Sequence, residues 1–215
     1  MPTNLLSLPL LTVTFQTATN ESWRDGVAFT SAGSITSQKN AGNSGNGGLG
    51  GLTLALGAYI GDYILTLTGA TTFRVADPDG YTIGSGVVGV PFSASGIGFT
   101  LNQGQTPFAL GDGFTLTVLP QPLDITGIRF AMMMRRSAQD ATILVSADTD
   151  TGTLINGGAS GVLGWAVPVE TMERVPVSGD GSAYVLDVVA MADGDQRRCV
   201  TGTNAVVPGI TLPAD

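Results

Sequence analysis

Hydrophobic and polar positions alternate along most of this chain over short stretches, and apolar residues seldom recur at helical spacing. Leu8–Ala18 (LPLLTVTFQTA) alternates in part and is rich in Thr, Val and Phe, which predicts a strand. A polar turn, Asn20–Gly26, separates it from a short apolar strand, Val27–Thr30. The pattern then predicts strands at Leu52–Leu56, Asp62–Thr68, Thr72–Asp77, Thr82–Val90, Gly96–Asn102 and Gly113–Leu119. Turn signals separate them: Asp77-Pro78-Asp79-Gly80, Asn102-Gln103-Gly104 and Gly111-Asp112-Gly113. A repeat of about 8–12 residues between such signals belongs to a small all-β sandwich or barrel. Beyond Pro120-Gln121-Pro122, strand patterns resume at Ile125–Arg135, Ala141–Ala147, Leu154–Gly158 and Gly161–Val167. Ser182–Ala192 and Arg197–Val207 face each other across Ala192-Asp193-Gly194-Asp195, as a hairpin would. Pro168–Arg174 (PVETMER) reads as one helical turn.

These elements imply a discontinuous organisation. Two N-terminal strands cannot bury a core alone, and the last block looks incomplete without them. Residues 1–37 and 120–215 are therefore expected to form one outer β-sandwich. Residues 52–119 form a second small β-domain inserted in one of its loops, since long insertions cost little closure entropy. The Ser/Asn/Gly-rich run 38–51 reads as a flexible linker, with Ser34–Gly48 the expected site of proteolytic nicking.

Composition sharpens the class. Glycine occurs 31 times in 215 residues, where about 15 would be usual, and only 12% of residues are charged. Low charge with abundant Gly, Thr and Val favours β-structure rich in tight turns. The chain has no histidine, which removes His-based triads and most acid–base schemes near neutral pH. One cysteine, Cys199, leaves no internal disulfide and no CxxC pair. A net charge of −8 with Lys39 as the sole lysine argues against nucleic acid as a partner. No apolar run is long enough to span a membrane. The run Leu5–Leu11 lacks the basic flank of a secretion signal.

Few residues offer chemistry. Asp77 with Asp79, and Asp148 with Asp150, could share a cation, but Asp-Pro-Asp-Gly is ordinary turn chemistry. The glutamates Glu21, Glu170 and Glu173 lie in polar surroundings, unlike a glycosidase pair. Gly158-Ala159-Ser160-Gly161-Val162 is no nucleophile elbow, and no base stands ready for Ser160. Cys199 follows Arg197 and Arg198, which would lower its pKa, yet a strand position favours a buried, inert thiol. No catalytic residue, metal site or cofactor is expected. The string Met132-Met133-Met134-Arg135-Arg136 can serve core or interface, since Met and Arg are both enriched at interfaces. Trp23, Met132, Met134, Arg135, Arg136 and Trp165 are the candidate subunit-interface residues.

The segment Gly57–Val118 carries a resemblance. Its strand opening at Gly61-Asp62-Tyr63-Ile64-Leu65-Thr66, the Asp77-Pro78-Asp79-Gly80 turn, Ile97-Gly98-Phe99-Thr100-Leu101-Asn102, and Phe108-Ala109-Leu110-Gly111-Asp112-Gly113-Phe114-Thr115 are similar to head decoration proteins of tailed bacteriophages, of the lambda type. Such proteins assemble as trimers and grip the capsid partly through a free N-terminal arm. Here the block's N-terminus is tethered. Trp23-x-Asp25, Leu123–Gly127 leading into Phe130–Arg136, and the Asp193-Gly194 hairpin look like phage baseplate or tail-fibre adaptor domains, which are immunoglobulin-like β-sandwiches. The resemblance implies a non-enzymatic virion structural protein on the particle surface, with an immunoglobulin-like outer sandwich. It would bind major capsid, neck or tail subunits and form a homo-oligomer, a trimer first. Head decoration stands slightly ahead of a tail, neck or baseplate adaptor. A carbohydrate-binding host-attachment module is the reading from another class, and it would need exposed aromatics.

Overall fold

The computed structural model describes residues 8–209. Residues 5–7 of the N-terminal apolar run lie outside this range. Two strands come first, β1 (Leu11–Ala18) and β2 (Gly26–Ala28). Eight follow: β3 (Thr30–Lys39), β4 (Gly48–Leu54), β5 (Gly61–Leu67), β6 (Thr72–Ala76), β7 (Thr82–Val87), β8 (Pro91–Ala94), β9 (Ile97–Asn102) and β10 (Gly113–Pro122). The remainder comprises β11 (Arg129–Arg135), β12 (Val145–Asp148), β13 (Leu154–Asn156), β14 (Val162–Trp165), the short helix α1 (Val169–Met172), β15 (Ser182–Ala192) and β16 (Asp195–Val207). The protein is all-β. No helix among the described residues is long and apolar enough to cross a membrane.

The chain divides into two compact units, Met1–Thr30 with Pro122–Asp215, and Ser31–Gln121. In the first, a five-stranded sheet runs β1-β16-β15-β11-β12 and a three-stranded sheet runs β13-β14-β2. Between them lies one core, in which Phe130, Met132 and Leu186 from the large sheet meet Leu163 and Trp165 from the small one and Phe29 just past the end of β2. Alternation explains it: Phe130, Met132 and Met134 share one parity on β11 and are buried, while Met133 points outward. The strand β1 pairs with β16 in parallel, Leu11 opposite Val200 through Ala18 opposite Val207. Phe15 packs at 5.4 Å from Trp23 and 5.1 Å from Trp165, centroid to centroid.

The second unit repeats the five-on-three arrangement with β3-β10-β5-β6-β7 against β4-β9-β8. Phe73, Phe92 and Phe99 form an aromatic cluster at its centre, with centroids 5.0–5.8 Å apart. Two hairpins turn as their residues dictate. Ser95 (φ 46°) and Gly96 (φ 76°) link β8 to β9, and Asp193 (φ 52°) and Gly194 (φ 86°) link β15 to β16, two positive φ values in succession, as a type I′ turn requires.

The Ser/Asn/Gly run 38–51 is not a linker. Strand β3 extends to Lys39, β4 begins at Gly48, and the residues between them are fastened to the β10 end of the second unit. The Asn43 side chain donates to the Gly113 carbonyl and accepts its N–H, both at 2.7 Å. The Asp112 carboxylate accepts the N–H groups of Ser44 (2.8 Å), Gly45 (2.9 Å) and Ala109 (3.0 Å). Glycine serves close approach here: a Cβ on Gly45 would meet Phe108 at 2.7 Å, and one on Gly47 the Asn102 carbonyl oxygen at 2.3 Å. The junctions of the two units accordingly fall at residues 30/31 and 121/122, earlier than 37 on the first side. Nicking across Ser34–Gly48 loses its structural basis, because much of that stretch is strand or pinned loop.

Candidate interaction surface

Cross-strand register fixes what the outer face of the first unit's large sheet displays. One row crosses Thr12, Thr201, Asp187, Met133 and Ser146, and the next crosses Thr14, Thr203, Val185 and Arg135. Around them lies a shallow depression of about 600 Å³, lined by Met133, Arg135, Val185, Asp187, Arg198 and Thr201 among others. Met133 is 40% exposed at its centre. Arg135 is held beside it, donating to the Asp140 carbonyl oxygen at 2.7 Å and to the Met133 sulfur at 3.4 Å. A methionine flanked by guanidinium groups, hydroxyls and one carboxylate is a surface suited to binding.

The six expected interface residues divide sharply. Trp23, Met132, Met134 and Trp165 are buried in the core of the first unit and present nothing to a partner. Their reading as interface residues is corrected. Phe130 sets the parity of β11, so the alternate methionines follow it inward and Met133, which is not among the six, faces out. Trp23 additionally donates its indole N–H to Asp25 at 2.8 Å, while the buried Trp165 indole N–H finds no partner among the described residues. Arg135 is half-buried in the depression. Arg136 is exposed and lines a second, smaller hollow of about 300 Å³ with Pro176 and Tyr184.

The remaining polar candidates serve local structure. Asp77 accepts the N–H groups of Asp79 (3.1 Å) and Tyr81 (2.8 Å), which closes its own turn. Asp148 accepts from Thr151 N–H at 2.7 Å, a bond that holds its carboxyl below the usual range, and Asp150 pairs with Arg129 at the surface. Glu21 accepts the Ala18 N–H at 2.8 Å, and Ser160 donates to the Gly157 carbonyl at 2.9 Å. Glu170 and Glu173 are exposed on and beside α1. Among the described residues no three His, Cys, Asp or Glu side chains gather as a metal site would need. Cys199 is fully buried, and burial pushes its thiol up to about 12 despite nearby backbone N–H groups and Arg197.

In the second unit, exposed apolar side chains collect on touching loops. Leu56 is 97% exposed, Tyr81 73% and Tyr59 57%. The loops that carry them meet where a Cβ on Gly61 would lie 2.9 Å from Pro78. Tyr59 donates its N–H to the Tyr63 hydroxyl at 2.7 Å, and burial, opposed by that bond, raises the Tyr63 phenol above its ordinary pKa.

No protein-family model matches this chain, and no curated protein matches it. Among solved structures, FlgL of Xanthomonas campestris, in two crystal forms, aligns with 49% of this chain and 33% of its own at 24% and 22% identity, with a TM-score of 0.34. The flagellar hook junction protein FlgK from Burkholderia pseudomallei aligns with 78% of this chain and 40% of its own at 15% identity, again with a TM-score of 0.34. The chain thus spans between a third and two fifths of the length of these proteins. They are flagellar rather than phage proteins, and likeness this loose transfers neither partner nor location.

Proposed function

We propose that this protein is a non-enzymatic structural component of a tailed-phage virion, located on the particle surface, where it binds other virion subunits. The observation that carries the reading is the decoration-like block. Each of its motifs is a framework part of the second unit: the opening on β5, the turn between β6 and β7, the strand β9, and the Phe108–Thr115 segment that enters β10. Asp112, central to the last motif, fastens the Ser/Asn/Gly run to that strand. The first unit docks on the particle and the second projects from it. Head decoration is the first placement, with major capsid protein as partner; tail, neck or baseplate attachment is the second. Of the polar candidates, Glu21, Asp77, Asp148 and Ser160 are engaged in local hydrogen bonds and Glu170 and Glu173 stand exposed to solvent, which favours a binding role.

Mass spectrometry of purified particles of a phage encoding this chain, with a reconstruction to place it, tests the reading. The chain is expected at stoichiometric copy number on the head surface. Absence from particles overturns the virion role, and density at the tail moves it to the adaptor placement. Turnover of peptidoglycan or capsular polysaccharide by the purified protein, lost in Glu170→Gln or Glu21→Gln, overturns the non-enzymatic reading. One observation favours a host-glycan contact as the second reading, the exposed Tyr59 and Tyr81, since an exposed aromatic ring can stack on a sugar. Binding on a glycan array that is lost in Tyr81→Ala would establish it.

A further inference from the structure

Strand β1 ends the first unit's large sheet, and no described strand pairs with its outer edge. Its orientation follows from two contacts. Just past the strand, Thr19 donates its N–H to the Val207 carbonyl at 3.1 Å, and a Cβ on Gly202 would strike the Val13 carbonyl oxygen at 2.1 Å. Odd-numbered residues of β1 therefore direct their backbone groups towards β16. Even-numbered residues direct theirs to the free edge, because backbone direction repeats every second residue in a strand. At one end of that edge the Ala18 N–H is already taken by Glu21 at 2.8 Å. Thr12, Thr14 and Gln16 remain, centred on Thr14. Their side chains are exposed, and the strand carries no charge, proline or bulge, the features that normally protect an edge.

We infer that β1 is the contact through which two copies of this chain associate, β1 against β1 antiparallel about a two-fold axis at Thr14. In this register Thr14 faces Thr14 of the second copy, and Thr12 faces its Gln16. Each such pair exchanges two backbone hydrogen bonds, about six in all. The outward pairs are Thr–Thr and Thr–Gln, which are compatible neighbours, and no like charges are opposed in a protein whose net charge is −8. On the core-facing side Val13 meets Phe15 of the second copy. Leu11, Val13 and Phe15 are only partly buried in the single chain, and another strand would cover the rest. The strand is self-complementary, which an isologous contact requires. The contact is two-fold, so it does not build the trimer expected from sequence.

Sedimentation over a concentration series tests the proposal on the full chain. The wild type is expected to reach twice 21.9 kDa. Thr14→Lys places like charges face to face at the axis while leaving every intrachain bond in place, and it should weaken the dimer at least tenfold with an unchanged circular dichroism spectrum. Register is tested by cross-linking, in which buried Cys199 takes no part. Under mild oxidation Thr14→Cys should give covalent dimer at least tenfold faster than Thr12→Cys. The reason is that opposed residues lie about 5.5 Å apart, within disulfide reach, whereas the two Thr12 positions are roughly 14 Å apart. A monomer at all concentrations overturns the proposal, as does a dimer indifferent to Thr14→Lys, or equal cross-linking of the two cysteine variants.

Discussion

Gly42 and Gly47 belong to one low-complexity run, yet they differ in what surrounds them. Nothing lies within 4 Å of a Cβ on Gly42, whereas one on Gly47 would meet the Asn102 carbonyl oxygen at 2.3 Å and the Phe108 ring at 2.5 Å. Gly47→Ala should therefore destabilise the second unit by about 1–3 kcal/mol through overpacking. Gly42→Ala should stay within about 0.5 kcal/mol, and urea midpoints of the two variants give the comparison. Asp112 makes the same region sensitive to acid. Burial opposes its charge, but three backbone N–H donors and Lys39 outweigh that and hold its carboxyl below the ordinary range. A depressed folded-state pKa contributes stability above the unfolded value of about 3.9, and that contribution is lost as pH falls through the folded value. The second unit should accordingly lose stability only in strong acid. Asp112→Asn should cost about 1–3 kcal/mol at neutral pH and flatten that acid dependence in thermal melts followed by circular dichroism.

Between strands, the buried pair Thr17 and Asn204 joins β1 to β16, with the Asn204 amide donating to the Thr17 hydroxyl at 3.0 Å. A single change at either position strands a buried polar group, so Thr17→Val or Asn204→Leu should each cost about 1–3 kcal/mol. The double variant should recover part of that loss, and a double-mutant cycle from denaturant unfolding measures the coupling. Much at this scale was legible in advance. Alternation located β5, β6, β9, β10 and the β15–β16 hairpin to within a few residues, because period-two burial and Gly or Asp turns act locally. The short strand β8 fell in the gap between the expected strands Thr82–Val90 and Gly96–Asn102, because four residues opened by Pro91 and set between Gly89 and Gly96 carry the composition of a loop. The Ser/Asn/Gly run misled because composition cannot distinguish a glycine needed for freedom from one needed for closeness. At the candidate surface, Met132 and Met134 were left open between core and interface, although Phe130, at the same parity on β11, carried the signal that places them in the core.

Across the whole molecule, the first unit is interrupted but closed at the break: Leu123 donates its N–H to the Phe29 carbonyl at 2.9 Å. Replacing Ser31–Gln121 by a short Gly/Ser linker should leave this unit folded, since the ends are already held together and the loop to be closed is shorter. A single cooperative melt of the shortened protein is the expected outcome, and loss of cooperativity would show that the two units depend on each other. The parallel pairing of β1 with β16 carries a further consequence for synthesis on the ribosome. Thr17 and Asn204 are separated by 187 residues, whereas every strand of the second unit has been made once Gln121 emerges. The inserted unit thus folds first, and the first unit, begun earlier, is completed last. At about 5–20 residues per second, the stretch from Gln121 to the end of β16 at Val207 takes roughly 4–17 s to appear. Throughout that interval β1 has no partner of its own chain to pair with, so neighbouring nascent chains on one messenger compete for it.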